Sequence, residues 1–423
     1  MNFSTQKPKV FFKTFGCRTN IFDTQVMMSN LKDFEVTQDE KDASIVIINS
    51  CTVTNSADTT ARSYINGLKK LENSPKVIFT GCGTRTKGEK LFGEDKIDGL
   101  FGASEKENIN ELLKIDEKFF KLGDLKSLDK TVVEEFVGKS RAFIKIQEGC
   151  DFRCSYCIIP YVRGDARSYE ESVILNQVET LAQNGFSEFI LTGTNVGSYG
   201  KKMHTSLAKL LKKMAQIKGV KRIRMGSIEP IQIDDEFKEL INEPFMAKHL
   251  HIALQHTSKE MLKIMNRRNK VLSDLELFEF LSSNGYALGT DFIVGHPGET
   301  KELWEEAMKN LHNFPLTHIH AFTYSKRDGT PSASMKDMPK GDIAKDRYIE
   351  LVEIIKQKNY EFRQKNKNIK LEVLVEQEKN GKYLGFDQFF NQVEISSDED
   401  LLGDWLNLDD YKVGITKNEA RFK

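Results

Sequence analysis

Long apolar runs are missing from this chain. No stretch approaches the roughly 20 residues of a membrane-spanning helix, although 39% of its 423 residues are hydrophobic, ample for a folded core. Net charge is missing too. Sixty-two Lys and Arg face 62 Asp and Glu, a balance that by itself argues neither for nor against nucleic acid. Cysteine is scarce, with six residues in all, too few for a secreted disulfide framework over this length. The opening MNFSTQKPKV lacks the apolar core of a signal peptide, and a cytoplasmic address is expected. No GxxxxGK loop occurs, so nucleotide hydrolysis has little support. The length itself predicts two or three domains.

What is present centres on nine residues, GCDFRCSYC, at 149–157. They follow the apolar run at 143–146 and space three thiols as Cys150-x3-Cys154-x2-Cys157. Three soft ligands on one short loop suit a metal ion or three corners of a cluster. A tetrahedral structural zinc site wants four ligands. The loop offers three, so an iron–sulfur cluster with one open iron fits better.

The other cysteines follow three strand-like runs at 10–15, 44–49 and 77–80, which alternate with helical segments near 23–31 and 57–71. Such alternation predicts a parallel α/β sheet. Each run ends at a cysteine: Gly16-Cys17, Ser50-Cys51 and Gly81-Cys82. Strand carboxyl ends share one edge of an open α/β sheet, so the three are expected to converge. Buried core thiols are the plain alternative.

Residues 116–139 are charged and aperiodic, which suits a linker or peripheral hairpin. Six strand-like runs follow, at 143–147, 188–192, 222–227, 249–254, 290–294 and 318–322, with amphipathic stretches at 170–181, 207–214 and 272–281 between them. Six β/α units are too few for a closed eight-stranded barrel, and an open partial barrel is expected. Chemistry then belongs at the strand carboxyl ends, where Gly193-Thr194-Asn195, Ser227-Ile228-Glu229, Gln255-His256 and the turn at 295–299 lie. His256 and His296 read as structural hydrogen-bonding groups. Residues 201–224 hold nine Lys or Arg and no acid, either a solvated helix face or a track for RNA phosphates. Short strand-like runs from 371 onward suggest a small β-barrel.

These motifs together resemble the radical S-adenosylmethionine (SAM) methylthiotransferases. The three-cysteine loop with Tyr156 before its last Cys, and IIPYVRG after it, look like the radical SAM signature. FGCRTN, NSCTVT and TGCGTRT resemble the cysteine motifs of the family's N-terminal domain, and CTVT is closest to the branch acting on threonylcarbamoyladenosine in transfer RNA. That branch usually places an aromatic and a small residue after the third Cys, where Gly83-Thr84-Arg85 stands here. The resemblance implies two [4Fe–4S] clusters, one on Cys150, Cys154 and Cys157, with SAM on its fourth iron, and an auxiliary one on Cys17, Cys51 and Cys82.

It also implies that Tyr156, Gly193, Thr194, Ser227 and Glu229 approach SAM, and that the turn at 295–299 supports the adenine. The expected architecture is an N-terminal parallel α/β sheet (8–125), a partial (β/α)6 radical SAM barrel (135–365) and a TRAM-like small β-barrel (368–423). TRAM domains bind RNA, yet this segment holds seven basic and twelve acidic residues. Either a local face (Lys379, Lys382, Lys412, Lys417) grips phosphate, or the contact is weak.

The implied activity is C2 methylthiolation of the modified adenosine beside the anticodon. In it one SAM methylates cluster-held sulfur and a second yields the radical that removes the C2 hydrogen. The sulfur and electron donors are left unidentified. Alternatives are the same chemistry on isopentenyladenosine or a ribosomal-protein aspartate, or a non-catalytic metal-containing RNA-binding protein.

Overall fold

The computed structural model describes residues 7–136 and 138–422. Residues 1–6 of the opening segment, residue 137 of the expected linker and residue 423 of the expected third domain lie outside the described residues.

The N-terminal region is the expected open parallel sheet. Its strands are β1 (Lys9–Thr14), β2 (Glu35–Val36), β3 (Ile45–Ser50), β4 (Lys76–Gly81), β5 (Gly99–Phe101) and β6 (Phe119–Lys121), in the order β2-β1-β3-β4-β5-β6. β3 is buried at every position, as a parallel strand covered on both faces requires. Helices Arg18–Ser29 and Asn55–Leu68 cover the sheet, and the Thr54 hydroxyl caps the second by accepting from the Ala57 N–H at 3.2 Å. The three strands not foreseen, β2, β5 and β6, are two or three residues long, too short to show a period.

The central region supplies β7 (Ala142–Lys145), a ribbon of β8 (Gln147–Glu148) and β9 (Arg167–Ser168), then β10 (Glu188–Thr192), β11 (Arg222–Arg224), β12 (His249–His251), β13 (Ala287–Val294) and β14 (His318–Thr323). Parallel sheets β7-β10-β11 and β12-β13-β14 are joined by parallel bridges Ile223–Met246 and Ile228–Ile252 into one curved six-stranded wall. This is the expected partial barrel. Alternate residues (Phe189, Leu191, Ile223, Leu250, Phe292) pack outward beneath the helices, against Val178, Leu211, Phe278 and Leu311. The other set faces the lumen. Closed barrels fill that space with branched aliphatics, whereas here it receives Glu188, Arg222, Arg224, His249, His251, Asp291 and His320.

Strands β7 and β14 are edges, and the N-terminal region sits across the gap between them. On the β7 side, Phe22 and Val26 of helix Arg18–Ser29 join the barrel core, with Val133 and Phe136 of the connecting segment. On the β14 side, Arg327 donates to the Thr52 carbonyl (2.7 Å) and to Asp58 (2.8 Å), while the Asn55 N–H donates to the Ser325 hydroxyl (2.8 Å). The segment read as a linker is therefore a strap. Its exposed Glu134 and Glu135 beside buried Val133 and Phe136 hid the packing from periodicity.

At the far end, β15 (Leu371–Lys379), β16 (Lys382–Phe386), β17 (Gln392–Ser396), β18 (Trp405–Leu408), β19 (Lys412–Val413) and β20 (Asn418–Arg421) form a curled sheet, ordered β18-β15-β16-β17-β20-β19. It is a half-barrel, not a closed one: β18 and β19 remain unjoined edges. It docks against the strand starts of the larger barrel. There Trp405 donates to the Ser187 hydroxyl (2.8 Å), Arg222 to the Glu372 carbonyl (2.9 Å) and Arg224 to the Asp387 carbonyl (2.6 Å). Arg222 and Arg224 thus leave the basic surface run read at 201–224. In the lysine face, Lys382 and Lys417 both pair with Glu394.

Arg327→Ala strands the half-buried Asp58 and opens the β14 side of the gap. The expected cost is about 3–5 kcal/mol, read as a lower urea midpoint together with faster proteolytic release of the N-terminal region. An unchanged midpoint would show that the strap and helix Arg18–Ser29 hold the closure alone.

Candidate metal centres and the cavity between them

The loop after β8 turns at Gly149, whose φ is +77° and where a Cβ would lie 2.0 Å from the Asp165 carbonyl oxygen. Only glycine fits. The Cys150 N–H then donates to Gly164 O (3.0 Å), the Ser155 N–H to Met265 O (2.9 Å) and the Cys157 N–H to Cys154 O (3.1 Å). Two side chains aim N–H donors at the sulfurs: Asn195 Nδ2 at Cys150 (3.5 Å) and Arg267 Nη1 at Cys154 (3.7 Å). Such donors favour the thiolate and orient it.

The residues expected near SAM surround this loop. A Cβ on Gly193 would meet Gln147 O at 2.7 Å, and the Thr194 hydroxyl donates to Gly149 O at 2.5 Å. Glu229 is gripped by Arg267 through both guanidinium ends, at 2.9 and 2.5 Å. Ser227 is exposed and 3.4 Å from Asp291. Tyr156 packs edge-on to His296, centroids 6.2 Å apart.

Both histidines read as structural are buried and engaged within the protein. His296 Nδ1 lies 2.8 Å from the Pro297 carbonyl, which accepts only, so Nδ1 carries the proton and Nε2 (3.2 Å) accepts from Ser155. His256 accepts from the Ser258 N–H at 3.0 Å.

On the N-terminal sheet the three strand ends do converge. Cys17 caps helix Arg18–Ser29 and is exposed, whereas Cys51 and Cys82 are buried. A Cβ on Gly16 (φ +98°) would stand 2.5 Å from the Cys51 Cβ and 3.0 Å from its sulfur, so the two cysteine loops touch. Arg163 Nε donates to the Cys82 sulfur at 3.1 Å. That arginine ends helix Ile159–Arg163, which directly follows the other cysteine loop.

Arg163 also donates to Asp23 and Asn20 (both 2.7 Å) and to Glu148. Lys145 lies between Asp23 (2.5 Å), Glu148 (3.0 Å) and Asp129 (3.1 Å), and Lys106 lies 2.6 Å from Asp129. Three buried acids meet three buried bases. Asp23, Asp129 and Glu148 cluster within 4.8 Å, but the bases already occupy the space a cation would take. Burial disfavours their charge, yet Lys106, Lys145 and Arg163 hold Asp23 well below the usual carboxylate range, and the same surroundings hold Glu148 at about 2.

The donor sets fit clusters better than single ions. Among the described residues neither cysteine trio brings its three sulfurs within 4.8 Å of one another, and no His, Asp or Glu joins either trio at that spacing. One tetrahedral zinc with bonds of about 2.3 Å would hold sulfurs about 3.8 Å apart. Wider spacing suits one iron per thiolate. Between the trios lies a cavity of 230 Å³, lined by Val53 and Thr54 from the Cys51 loop, Tyr156 and Cys157, and Asp291 and Phe322. Just below it His251 (3.0 Å) and His320 (3.4 Å) share the Asp291 carboxylate, their rings stacked at 4.6 Å.

Sequence reasoning missed Arg163, Arg267 and Asp291 as working residues, and placed Asn195 at a strand end without foreseeing its bond to Cys150. Arg163 sat in the quoted IIPYVRG. Asp291 was findable from strand parity, being an acid at an inward position of an apolar strand.

Burial pushes the Cys51 and Cys157 thiols up to about 12 and raises Cys82 and Cys150 as well. At pH 8 a thiol titrating near 12 holds about three orders of magnitude less thiolate than a free one. In metal-stripped, reduced protein, iodoacetamide is therefore expected to label exposed Cys17 first and Cys51 and Cys157 last by peptide mass spectrometry. All six should be protected after loading. Rapid labelling of Cys157 in the stripped protein would contradict this burial.

Comparison with known proteins agrees with the geometry. Residues 9–102 match the family described as Uncharacterized protein family UPF0004, and residues 144–311 match the Radical SAM superfamily. A Helicobacter pylori (strain J99) protein, named provisionally as a methylthiotransferase, is 54% identical over 98% of this chain and 100% of its own length. The threonylcarbamoyladenosine tRNA methylthiotransferase MtaB of Aquifex aeolicus is 34% identical over 88% of this chain and 93% of that protein. A tRNA-2-methylthio-N(6)-dimethylallyladenosine synthase of Hydrogenobaculum is 31% identical over 93% and 94%. Among solved structures, the radical SAM methyltransferase TsrM of Kitasatospora setae shares the fold at TM-score 0.60 and 16% identity, over 78% of this chain and 77% of that one.

Proposed function

The chain belongs to the radical SAM methylthiotransferases, a transferase family that carries two [4Fe–4S] clusters and uses SAM, and we propose that it methylthiolates C2 of the threonylcarbamoyladenosine next to the anticodon in transfer RNA. The observation that carries this reading is a cavity lined by Cys157 of one trio and by Val53 and Thr54, which closely follow Cys51 of the other. A reaction that needs two cofactors at one carbon needs their holders to share one space.

Cys150, Cys154 and Cys157 would hold one cluster and Cys17, Cys51 and Cys82 the other, with Tyr156, Gly193, Thr194, Ser227 and Glu229 on the SAM side. Bound there, the clusters and SAM supply radical hydrogen abstraction and the methylthio group. The protein's own part is placement. Arg267 neutralises Glu229 while directing an N–H at Cys154. Arg163 fixes the Cys82 loop against the helix that follows Cys157. The N-terminal sheet and its helices close the open side of the barrel beside the cavity, and the C-terminal half-barrel forms the floor. Anticodon-loop bases are already partly unstacked, so extruding one costs a few kcal/mol or less.

Threonylcarbamoyladenosine is favoured by the CTVT motif and by the relatives named for it, at 34% in Aquifex aeolicus and 31% in Bacillus subtilis. Isopentenyladenosine and a ribosomal-protein aspartate remain the rival substrates, since relatives named for each match at 31%. The non-catalytic reading falls with membership in an enzyme family. No helix among the described residues is long and apolar enough to cross a membrane, which suits a cytoplasmic tRNA enzyme.

Anaerobic reconstitution is expected to load about eight irons per chain and to give SAM cleavage on reduction. Cys51→Ala should keep SAM cleavage and lose the methylthio product. Nucleoside mass spectrometry of tRNA from cells lacking the gene should show loss of methylthio-threonylcarbamoyladenosine. An unchanged peak would refute the substrate.

A further inference from the structure

The barrel floor holds more cationic donors than its acids engage. Three guanidinium groups surround the Phe390 ring: Arg18 at 5.9 Å, Arg141 at 5.8 Å and Arg224 at 5.4 Å from its centroid. His249 stacks on the same ring at 5.0 Å. The nearby acids are taken up elsewhere. Glu188 accepts from Arg222 Nε (2.5 Å) and Arg224 Nε (2.6 Å), and Glu376 accepts from Arg141 Nη2 (2.7 Å).

What remains is unsatisfied. The Nη1 groups of Arg141 and Arg224 are buried without a hydrogen-bond partner, Arg141 Nη1 standing 3.8 Å from Glu188. Arg224 is only 3% exposed. Among the described residues no carboxylate forms an ion pair with Arg18; Arg141 and Arg224 stand near it and repel, with Glu188 and the Cys17 thiol opposing them more weakly. Like charges this close repel, and a buried donor left unpaired is costly. Two buried unpaired donors and a third guanidinium without a carboxylate partner, all at one ring, mark a place for an anion.

The lumen leads there from the cavity. Ile293 and Phe322 line the cavity, Asp291 and His320 stand one pleat lower, and Gly289 and His318 one pleat lower again, beside Phe390. Four residues of strand span about 13 Å. His320 keeps 60% of its side chain exposed, so the space between is open.

We propose that this floor binds the carboxylate at the end of the substrate's N6 side chain; the inference rests on the threonylcarbamoyladenosine reading above. C2 and C6 flank N1 and their exocyclic bonds diverge, so a base presenting C2 to the cysteine trios directs its N6 arm away from them, down the lumen. A terminal carboxylate matches guanidinium forks. An isopentenyl arm is apolar and would leave Arg18 and the Nη1 groups of Arg141 and Arg224 without a partner. The carboxylate of an aspartate substrate lies too near its own reacting carbon to reach the floor.

The test uses the reconstituted enzyme and synthetic anticodon stem-loops carrying either threonylcarbamoyladenosine or its neutral carboxamide. The wild type is expected to show a KM for the acid lower by about tenfold or more, the scale of a charge-assisted pair. Arg18→Gln should erase that preference by raising the KM for the acid alone, and Arg18→Lys should restore part of it, with iron content measured alongside because Cys17 is adjacent. Wild type that treats acid and carboxamide alike overturns the inference without any variant, as does an Arg18→Gln that slows both equally. Wild type that modifies neither stem-loop but accepts a prenylated one overturns the substrate reading, and this inference with it.

Discussion

One buried arginine ties the molecule's two halves together. Arg163 follows the second cysteine loop by six residues, yet its guanidinium bonds the Cys82 sulfur, Asp23 and Asn20 of the N-terminal region, and Glu148 beside Gly149. Desolvating that charge is expensive, and the structure offsets it with a lattice of three acids and two further bases. A buried lattice of this kind tolerates one geometry, because moving any member strands another. The distance between the cysteine trios is therefore set by ionic contacts that neither domain can make alone.

The lumen follows the same logic. An incomplete barrel has no need of an aliphatic filling if a second domain caps it and a third plugs its base. Residues 8–125 provide the cap through Phe22, Val26 and the Arg327 clasp, and Phe390 provides the plug. Inward-facing Arg, His, Glu and Asp then become affordable. They give the lumen between cavity and floor a polar lining.

Much of the fold was legible because its signals are local. Strand β3 opens with four apolar β-branched residues and has a cysteine after it, and β10 was placed at the residues it occupies. The glycines at 16, 81 and 149 mark turns that admit no Cβ. Where reading failed, the signal was not local. The segment 116–139 reads as charged loop because buried Val133 and Phe136 take their partners from helices far along the chain. The basic run at 201–224 conceals two inward arginines whose acid, Glu188, lies on a neighbouring strand. The closed C-terminal barrel became a half-barrel because pairing of β18 with β19 depends on curvature, which residue pattern does not encode.

By itself the sequence determined the chemistry at hand: six cysteines in two sets of three, on a loop and on three strand ends, and hence the family. Ligand identity and spacing are local, and thiolate chemistry does not depend on what packs behind it. Tertiary structure alone decided that the Cys157 loop and the loop after Cys51 line one cavity, that Arg163 and Arg267 attend the sulfurs, and that three guanidinium groups meet at Phe390. Those facts depend on side chains far apart in the chain, such as Arg18 and Arg224, arriving at one point. No periodicity records a meeting of that kind, because it arises from how the domains close on one another.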